Sequence, residues 1–599
     1  MGQTLIEKII TRHSDREVRP GDIANMSIDF RVARDFGGAN VVQHLEEHAL
    51  KIADAAKTMF TFDCNPTGSD QKYAANQQLC RVFAKQHDIP VSDIDKGIGT
   101  HLAIENGWIG PGGTLVSTDS HANIIGAIGA FGQGMGDVDI AAAFAKGQIW
   151  FKTPPSVKIT VKGSMPKHCT AKDLTLYFLQ QFGANGLLGA AAEVYGPAID
   201  ALDLHERITL ASMATEMGAI ILLIPPSDAV IDYCRGAGAA FDPVVADADA
   251  DYEREVELEL SKLQPLVSRP GHPEDVTPVA EVEGIPVQSV FIGSCTNGRF
   301  EDMRAAAAIL EGQTKAPHVV LKIVPSTDAV WQRCLREGVF DTFKQAGALI
   351  GNAGCAGCAA GQVGQNGPGE VTVSTGNRNF SGKQGKGEVY LASPATAAAS
   401  AVAGCLVSAG RLQAVAPVDP VVTAPAQKSV AAAPSGNTAD KPTVIKGRVW
   451  VIRQDHIDTD MIYHNRYLTV TDRNEMGQYT FENLQGRGDF ADKAEPGDIL
   501  VTGDNFGCGS SRQQAVDCFK SLGMPLIIAR SFGAIYERNA INNGLAITTS
   551  DLVNTDIQDG EVITCDLAKG EIVRESGETV SASPFSEVQM QIYQRGGLL

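Results

Sequence analysis

The sequence predicts an α/β protein: a long region of repeated strand, turn and helix, followed by a smaller α/β unit. Three observations carry that expectation. From Met1 to about Ala409, short apolar runs ending near glycine alternate with helical patterns, as stacked α/β layers require. Residues 411–443 then lose periodicity and fill with Ala, Pro, Val and Ser. Regular patterning returns at about Val444 and continues to Leu599, enough for a compact domain of about 155 residues.

In chain order, HLEEHALKIADAAKTMF gives a helical pattern before TFD, and GGTLVSTDSH reads as a strand leading to a Gly/Ala helix. AVWQRCLREGVFDTFKQAG is helical and precedes the apolar ALIGNAGC. The stretch RLQAVAPVDPVVTAPAQKSVAAAPSGNTADKPT extends rather than packs, which makes it a linker. Beyond it, VIKGRVWVI, PGDILVTG, PLIIARS and AIYERNAINNGLAITT rebuild the α/β pattern. The expected organisation is therefore 1–410, a linker at 411–443, and 444–599. For 599 residues, about 150 per domain suggests roughly three to five domains.

Composition narrows the function classes. Apolar residues at 44% and charged residues at 20% exclude a disordered tail or a fibrous chain. The net charge of −20 is a poor global match for nucleic acid or an acidic membrane surface. The segment MGQTLIEKIITRHSDREVRPGD lacks the order of a secretory signal, and no stretch reaches about 18 uncharged apolar residues. A cytoplasmic protein without a membrane partner is expected. Twelve cysteines at low density argue against a disulfide framework, and most read as small buried hydrophobes.

Six segments hold residues suited to chemistry. GSCTNGR (Gly293–Arg299) and GNAGCAGCAAG supply Cys295, Cys355 and Cys358 in Gly/Asn-rich turns. Three thiolates leave one iron of a cubane open, whereas structural zinc wants four ligands; spacing alone leaves a cluster and a thiol pair equally open. GDNFGCGSSRQQA (Gly503–Ala515) joins a strand to a helix, where backbone N–H groups and Arg512 can bind a carboxylate beside a serine. A plain capped turn is the alternative. STGNRNFSGKQGKG brings Asn377, Arg378 and Lys383, or is a solvated loop. STDSHAN pairs Asp119 with His121 for proton transfer, or is a capped turn. QDHIDTDMIYHNRYL opens the smaller unit with three aspartates and Arg466, or is a charged turn.

Taken in order, GSCTNGR, the C-x-x-C pair, the SPATAAASAVAG run and GCGSSR closely resemble the aconitase superfamily. The resemblance is to the isopropylmalate isomerase and homoaconitase branch with large and small subunits fused, and it covers nearly all the chain outside the linker. It implies three α/β/α domains around an iron-sulfur cluster, plus a linked α/β swivel domain, and reversible dehydration of 2-hydroxy di- or tricarboxylic acids. It makes Cys295, Cys355 and Cys358 the ligands of a 4Fe-4S cluster whose fourth iron acts as a Lewis acid, with Asn377 and Asn297 beside it. Ser510 becomes the base, with Asp119, His121 and Glu216 in the catalytic set. Ser511, Arg512, Arg378, Lys383, Asp35, Asp460 and Thr469 become substrate-binding residues.

The chain also departs from the family pattern. Asp63-Cys64 stands where the family has Asp-His, and Thr100 replaces a second histidine, with His101 one place later. In the family those histidines assist the departing hydroxyl; here Cys64 and Thr100 accommodate a different leaving group or alkyl pocket, and Asp63 and His101 complete the catalytic set. Ser212 replaces an asparagine, Lys383 an arginine, and Thr469 the arginine that would bind a third carboxylate. The expected activity is an iron-sulfur hydro-lyase or isomerase acting on an isopropylmalate-like or alkylmalate-like 2-hydroxy dicarboxylate. Fusion implies a monomer or weak homodimer. Homoaconitase or aconitase activity on a tricarboxylate, a non-catalytic iron-sensing RNA-binding paralogue, and a thiol-disulfide enzyme are the competing readings.

Overall fold

Three neighbouring parallel strands, Phe30–Arg34, Thr58–Thr61 and Thr114–Ser117, each carry an aspartate within two residues of their C-terminal ends: Asp35, Asp63 and Asp119. They are the centre of a five-stranded parallel sheet flanked by Val91–Ser92 and Phe131–Gly134. Phe30–Arg34 is buried at every position, as expected of a strand covered on both faces. The computed structural model describes residues 2–66, 70–358, 361–412, 441–468, 470 and 472–599.

Two further parallel arrangements bring the remaining loops together at strand ends, where open α/β sheets place ligands. In a seven-stranded sheet, Ser289–Gly293 lies between Val371–Ser374 and Val320–Val324, all parallel, with Leu349–Ile350 next in order. Their C-terminal ends lead into Cys295, the Asn377–Arg378 turn and Cys355. A four-stranded parallel sheet, ordered Ile221–Leu223, Ala191–Tyr195, Ser156–Lys162 and Arg254–Glu259, accompanies the helices Ala171–Phe182 and Leu204–Ser212. Multiple α/β layers are thus present, as the alternating pattern predicts.

The chain divides into two compact units. One comprises Met1–Ala39, Ile52–Gly134 and Ala143–Pro425; the other comprises Asn40–Lys51, Met135–Ala142 and Ala426–Leu599. The second unit therefore includes two short segments from before position 410. Within it, the buried Asp139 carboxylate pairs with the guanidinium of Arg538 at 2.8 Å. Its sheet sets Val444–Ile452, Ile499–Thr502, Leu526–Ala529 and Ala546–Thr549 in parallel and adds three antiparallel strands from Val562 onward. The expected linker falls mostly on residues 413–440, outside the described residues.

Local chemistry corrects two of the helical readings. The pattern beginning at His44 stops at Glu47, a 3-10 turn capped by Asp54 follows, and Thr58–Thr61 is already strand. AVWQRCLREGVFDTFKQAG breaks into Asp328–Arg336 and Val339–Gln345 at Gly338, whose φ of 74° a side chain disfavours. Among the described residues, no helix is long and apolar enough to cross a membrane.

The short helix Gly99–Glu105 has no side-chain cap of its own at Ile98; instead, Asp63 Oδ2 accepts from the N–H of Gly99 at 2.9 Å. Two residues further along, His101 Nε2 lies 2.8 Å from the carbonyl oxygen of Cys295, and Arg299 Nη1 lies 3.4 Å from Nδ1. Arg299 can only donate, so Nδ1 accepts and Nε2 carries the proton. Burial and the Arg299 charge push the His101 pKa down to about 3. Between about pH 6.5 and 3 the unfolded chain binds a proton that folded His101 refuses, so stability falls as pH drops. The limit is about 1.4 kcal/mol per pH unit, and the effect is absent above pH 6.5. His101→Gln, which keeps a donor for Cys295, is expected to narrow the difference between unfolding midpoints measured at pH 7.5 and 5.5. An unchanged difference would remove His101 as its source.

Candidate active site

Arg34 is the centre of the first unit's charged cluster, and the sequence reading passed over it. Its Nε donates to Asp63 Oδ1 at 2.7 Å, its Nη1 pairs with Asp119 Oδ1 at 2.9 Å, and its Nη2 donates to Cys355 Sγ. The side chain is 8% exposed. Burial alone would push both carboxyls up. Asp119 is nevertheless held below its ordinary value, because Arg34, His121 and the His121 N–H outweigh burial. Asp63, with Arg34 opposed by the charges of Asp35 and Asp119, rises to about 6.

A second array joins Asp119 to the Asn377–Arg378 turn. His121 Nε2 lies 3.1 Å from Glu216 Oε1, and Arg378 Nε donates to the same oxygen at 2.7 Å. Burial opposes ionisation of Glu216, but Arg378 and His121 bring its pKa down to about 2. The other oxygen, Oε2, is buried without a hydrogen-bond partner among the described residues. Arg378 Nη1 donates to Ser120 Oγ at 3.3 Å. Lys383 is buried on the same loop. Beneath the turn, fully buried Lys172 donates to the carbonyls of Gly376 at 2.7 Å and Thr375 at 3.3 Å. Burial lowers its pKa to about 8. No motif marks Lys172; its only sequence signal is a lysine on the buried face of Ala171–Phe182.

The thiols meet these arrays. Burial, reinforced by Asp119, Cys358 and Cys355, pushes the Cys295 thiol up. Cys295 Sγ donates to Asn377 Oδ1 at 3.4 Å, while Asn377 Nδ2 is buried with no partner among the described residues. That orphaned donor beside a thiol fits a metal-sulfide group. Asn297 is further committed: its amide nitrogen donates to Asp302 at 2.9 Å and Thr209 at 3.2 Å, leaving only Oδ1 without a partner.

Two expected site residues have other work. Asp35, expected to bind substrate, accepts from the N–H groups of Cys64 and Asn65 and from Gln77 Nε2, each at 3.0 Å. Both oxygens fix the turn after Thr58–Thr61, so Asp35 is a positioning residue. His101, expected in the catalytic set, has both ring nitrogens engaged by Cys295 and Arg299. Thr100 Oγ1, its neighbour, faces Asp119 Oδ2 at 3.5 Å.

In the second unit, Ile499–Thr502 leads into left-handed turns at Asn505, Gly507 and Gly509. A Cβ at Gly507 would stand 2.1 Å from Tyr536 Cγ, so the turn requires glycine there. Ser510 is half-buried and its carbonyl accepts from Thr459 Oγ1 at 3.0 Å. The Ser511 hydroxyl is buried without a partner among the described residues. Arg512 Nη1 pairs with Asp460 Oδ1 at 2.6 Å and donates to the Tyr463 carbonyl at 2.9 Å. Arg512 and Asp460 therefore brace the Thr459–Ile462 turn. Thr469 lies outside the described residues.

The model for the aconitase family (aconitate hydratase) matches residues 7–283 and 280–404, and that for the aconitase C-terminal domain matches 446–550. A 3-isopropylmalate dehydratase large subunit of Methanopyrus kandleri is 40% identical over 67% of this chain and 98% of its own length. A homoaconitase large subunit of Thermus thermophilus is 40% identical over 69% of this chain and 99% of its own. A solved 3-isopropylmalate dehydratase of Methanocaldococcus jannaschii is 38% identical over 26% of this chain and 90% of its own, with a TM-score of 0.24. These matches span both the cysteine-bearing region and the GCGSSR region, and the chain belongs to the aconitase family of hydro-lyases.

Proposed function

We propose that this hydro-lyase reversibly dehydrates a small 2-hydroxy dicarboxylic acid with an apolar remaining substituent, of the isopropylmalate or alkylmalate type. The observation that carries the reading is that one chain matches both the aconitase family and the aconitase C-terminal domain and is 40% identical over 67% of its length to a 3-isopropylmalate dehydratase large subunit. The 3-isopropylmalate dehydratase relative supports the substrate class, as does Thr469 where an arginine would bind a third carboxylate, while the homoaconitase relative keeps a tricarboxylate as the competing substrate.

Cys295, Cys355 and Cys358 are the residues that would hold a 4Fe-4S cluster, which when bound supplies a Lewis-acidic iron for substrate oxygens. Around them, Arg378 is fixed by Glu216 and carried on the turn that Lys172 supports, a rigid cation for a carboxylate. Ser510 takes the proton alpha to a carboxylate, and Ser511 offers a hydroxyl without a protein partner. The protein works in the cytoplasm as a monomer or weak homodimer, since one chain carries both the family match and the C-terminal domain match.

An anaerobic assay of iron-reconstituted protein against alkylmalates, citrate, isocitrate and homocitrate tests the reading. Turnover is expected with an alkylmalate and not with the tricarboxylates; efficient turnover of citrate would overturn the substrate class. Ser510→Ala is expected to keep its iron and lose about 10²–10⁴-fold in kcat. Full activity would remove Ser510 as base. Lys172→Met leaves two buried carbonyls without their charged donor and is expected to cost about 1–3 kcal/mol in unfolding measurements. It should also raise KM more than it lowers kcat, because its route to the reaction is the placement of Arg378.

A further inference from the structure

We propose that Arg34 is a positioning residue for the metal-sulfur group: held by Asp63 and Asp119, its guanidinium donates to the Cys355 sulfur and draws electron density from the iron that Cys355 would ligate. The inference rests on the cluster reading above. It leaves the open iron free for substrate and makes the group a stronger acceptor for substrate oxygens.

The donor is held from several directions. Arg34 closes the strand Phe30–Arg34, and its N–H donates to Thr118 Oγ1 at 2.8 Å, which fixes the backbone from which the side chain leaves. The guanidinium lies over Phe36, its central carbon 5.5 Å from the ring centroid. Arginine and carboxylate commonly pair through two parallel bonds. Here Asp63 Oδ2 already accepts from Gly99, so Asp63 takes the guanidinium through Nε alone, at 2.7 Å. Asp119 takes Nη1 at 2.9 Å, and Nη2 is left for sulfur. The facing loop brings the sulfur to that donor: the Cys355 N–H donates to the Asp63 carbonyl at 2.9 Å, so one residue anchors both guanidinium and thiol. At Gly354 a Cβ would stand 2.9 Å from the same carbonyl oxygen, and glycine permits the approach. An arginine side chain does not deprotonate in proteins, so its bond to a metal-bound thiolate is charge-assisted. Hydrogen bonds to ligand sulfur raise the reduction potential of an iron-sulfur group, because the reduced state carries more negative charge on sulfur.

Native protein, Arg34→Lys and a double variant carrying Arg34→Met and Asp63→Asn are reconstituted anaerobically as full chains, and iron and sulfide per chain are counted. The double variant removes the donor together with one of its anions. It therefore keeps the net charge of the pocket at about pH 8, above the Asp63 pKa of about 6. Its one-electron reduction equilibrium, followed by electron paramagnetic resonance, is expected to weaken at least about tenfold, a fall of about 59 mV. A potential equal to the native one would overturn the assignment of Arg34 and leave the cluster reading standing. A second measurement needs no variant of altered charge. Pulsed resonance of the reduced native cluster, in protein carrying 15N-labelled arginine, is expected to show a nitrogen coupling that Arg34→Lys loses. A native cluster without that coupling, or a coupling that survives in Arg34→Lys, would equally overturn the assignment. Native protein that holds no iron after reconstitution would overturn the cluster reading, and this inference with it.

Discussion

One guanidinium between two buried carboxylates sets the electrostatics of the cysteine-bearing pocket. Arg34 reaches Asp63, Asp119 and Cys355 from the end of the central strand. Each buried ion costs several kcal/mol in lost hydration unless its partners are well placed, so this triad exists only because the sheet fixes all three. A single cation cannot neutralise two anions. The surplus charge falls unequally: Asp119, with the His121 N–H as a further donor, stays ionised, while Asp63 is left with a pKa of about 6. The same guanidinium bonds the Cys355 sulfur, so charge balance and the placement of that thiol are one constraint.

Much of this arrangement was legible in the sequence, and its limits have a physical pattern. Alternating strands and helices pointed to the α/β class, and the STDSHAN segment after an apolar strand offered Asp119 and His121 as candidate site residues. Neighbouring positions could not be resolved, because side-chain direction changes by about 100° per residue in a helix and alternates in a strand. Thr100 and His101 show this: the first faces Asp119 and the second turns to the Cys295 carbonyl. Arg34 and Asp35 divide in the same way, the arginine into the charged cluster and the aspartate onto the Cys64–Asn65 turn. Lys172 escaped notice for a different reason. Its partners are more than 200 residues away, and no local motif encodes a contact of that range.

The GCGSSR region of the second unit follows the same principle of braced polar groups. Its glycines permit left-handed turns, and Arg512 is held by Asp460 and a backbone carbonyl. Among the buried polar atoms without a protein partner among the described residues are the Ser511 hydroxyl in the second unit and Glu216 Oε2 and Asn377 Nδ2 in the first.

The departures from the family pattern are chemically connected. Replacing two imidazoles by the Cys64 thiol and the Thr100 hydroxyl removes the side chains that most readily exchange protons near pH 7. His101 does not compensate, because a buried imidazole with a pKa of about 3 stays neutral and is engaged at both nitrogens. A threonine hydroxyl does not ionise in this range. Asp63, the residue before Cys64, is a buried carboxyl pushed up by burial and held by Arg34, which it shares with Asp119.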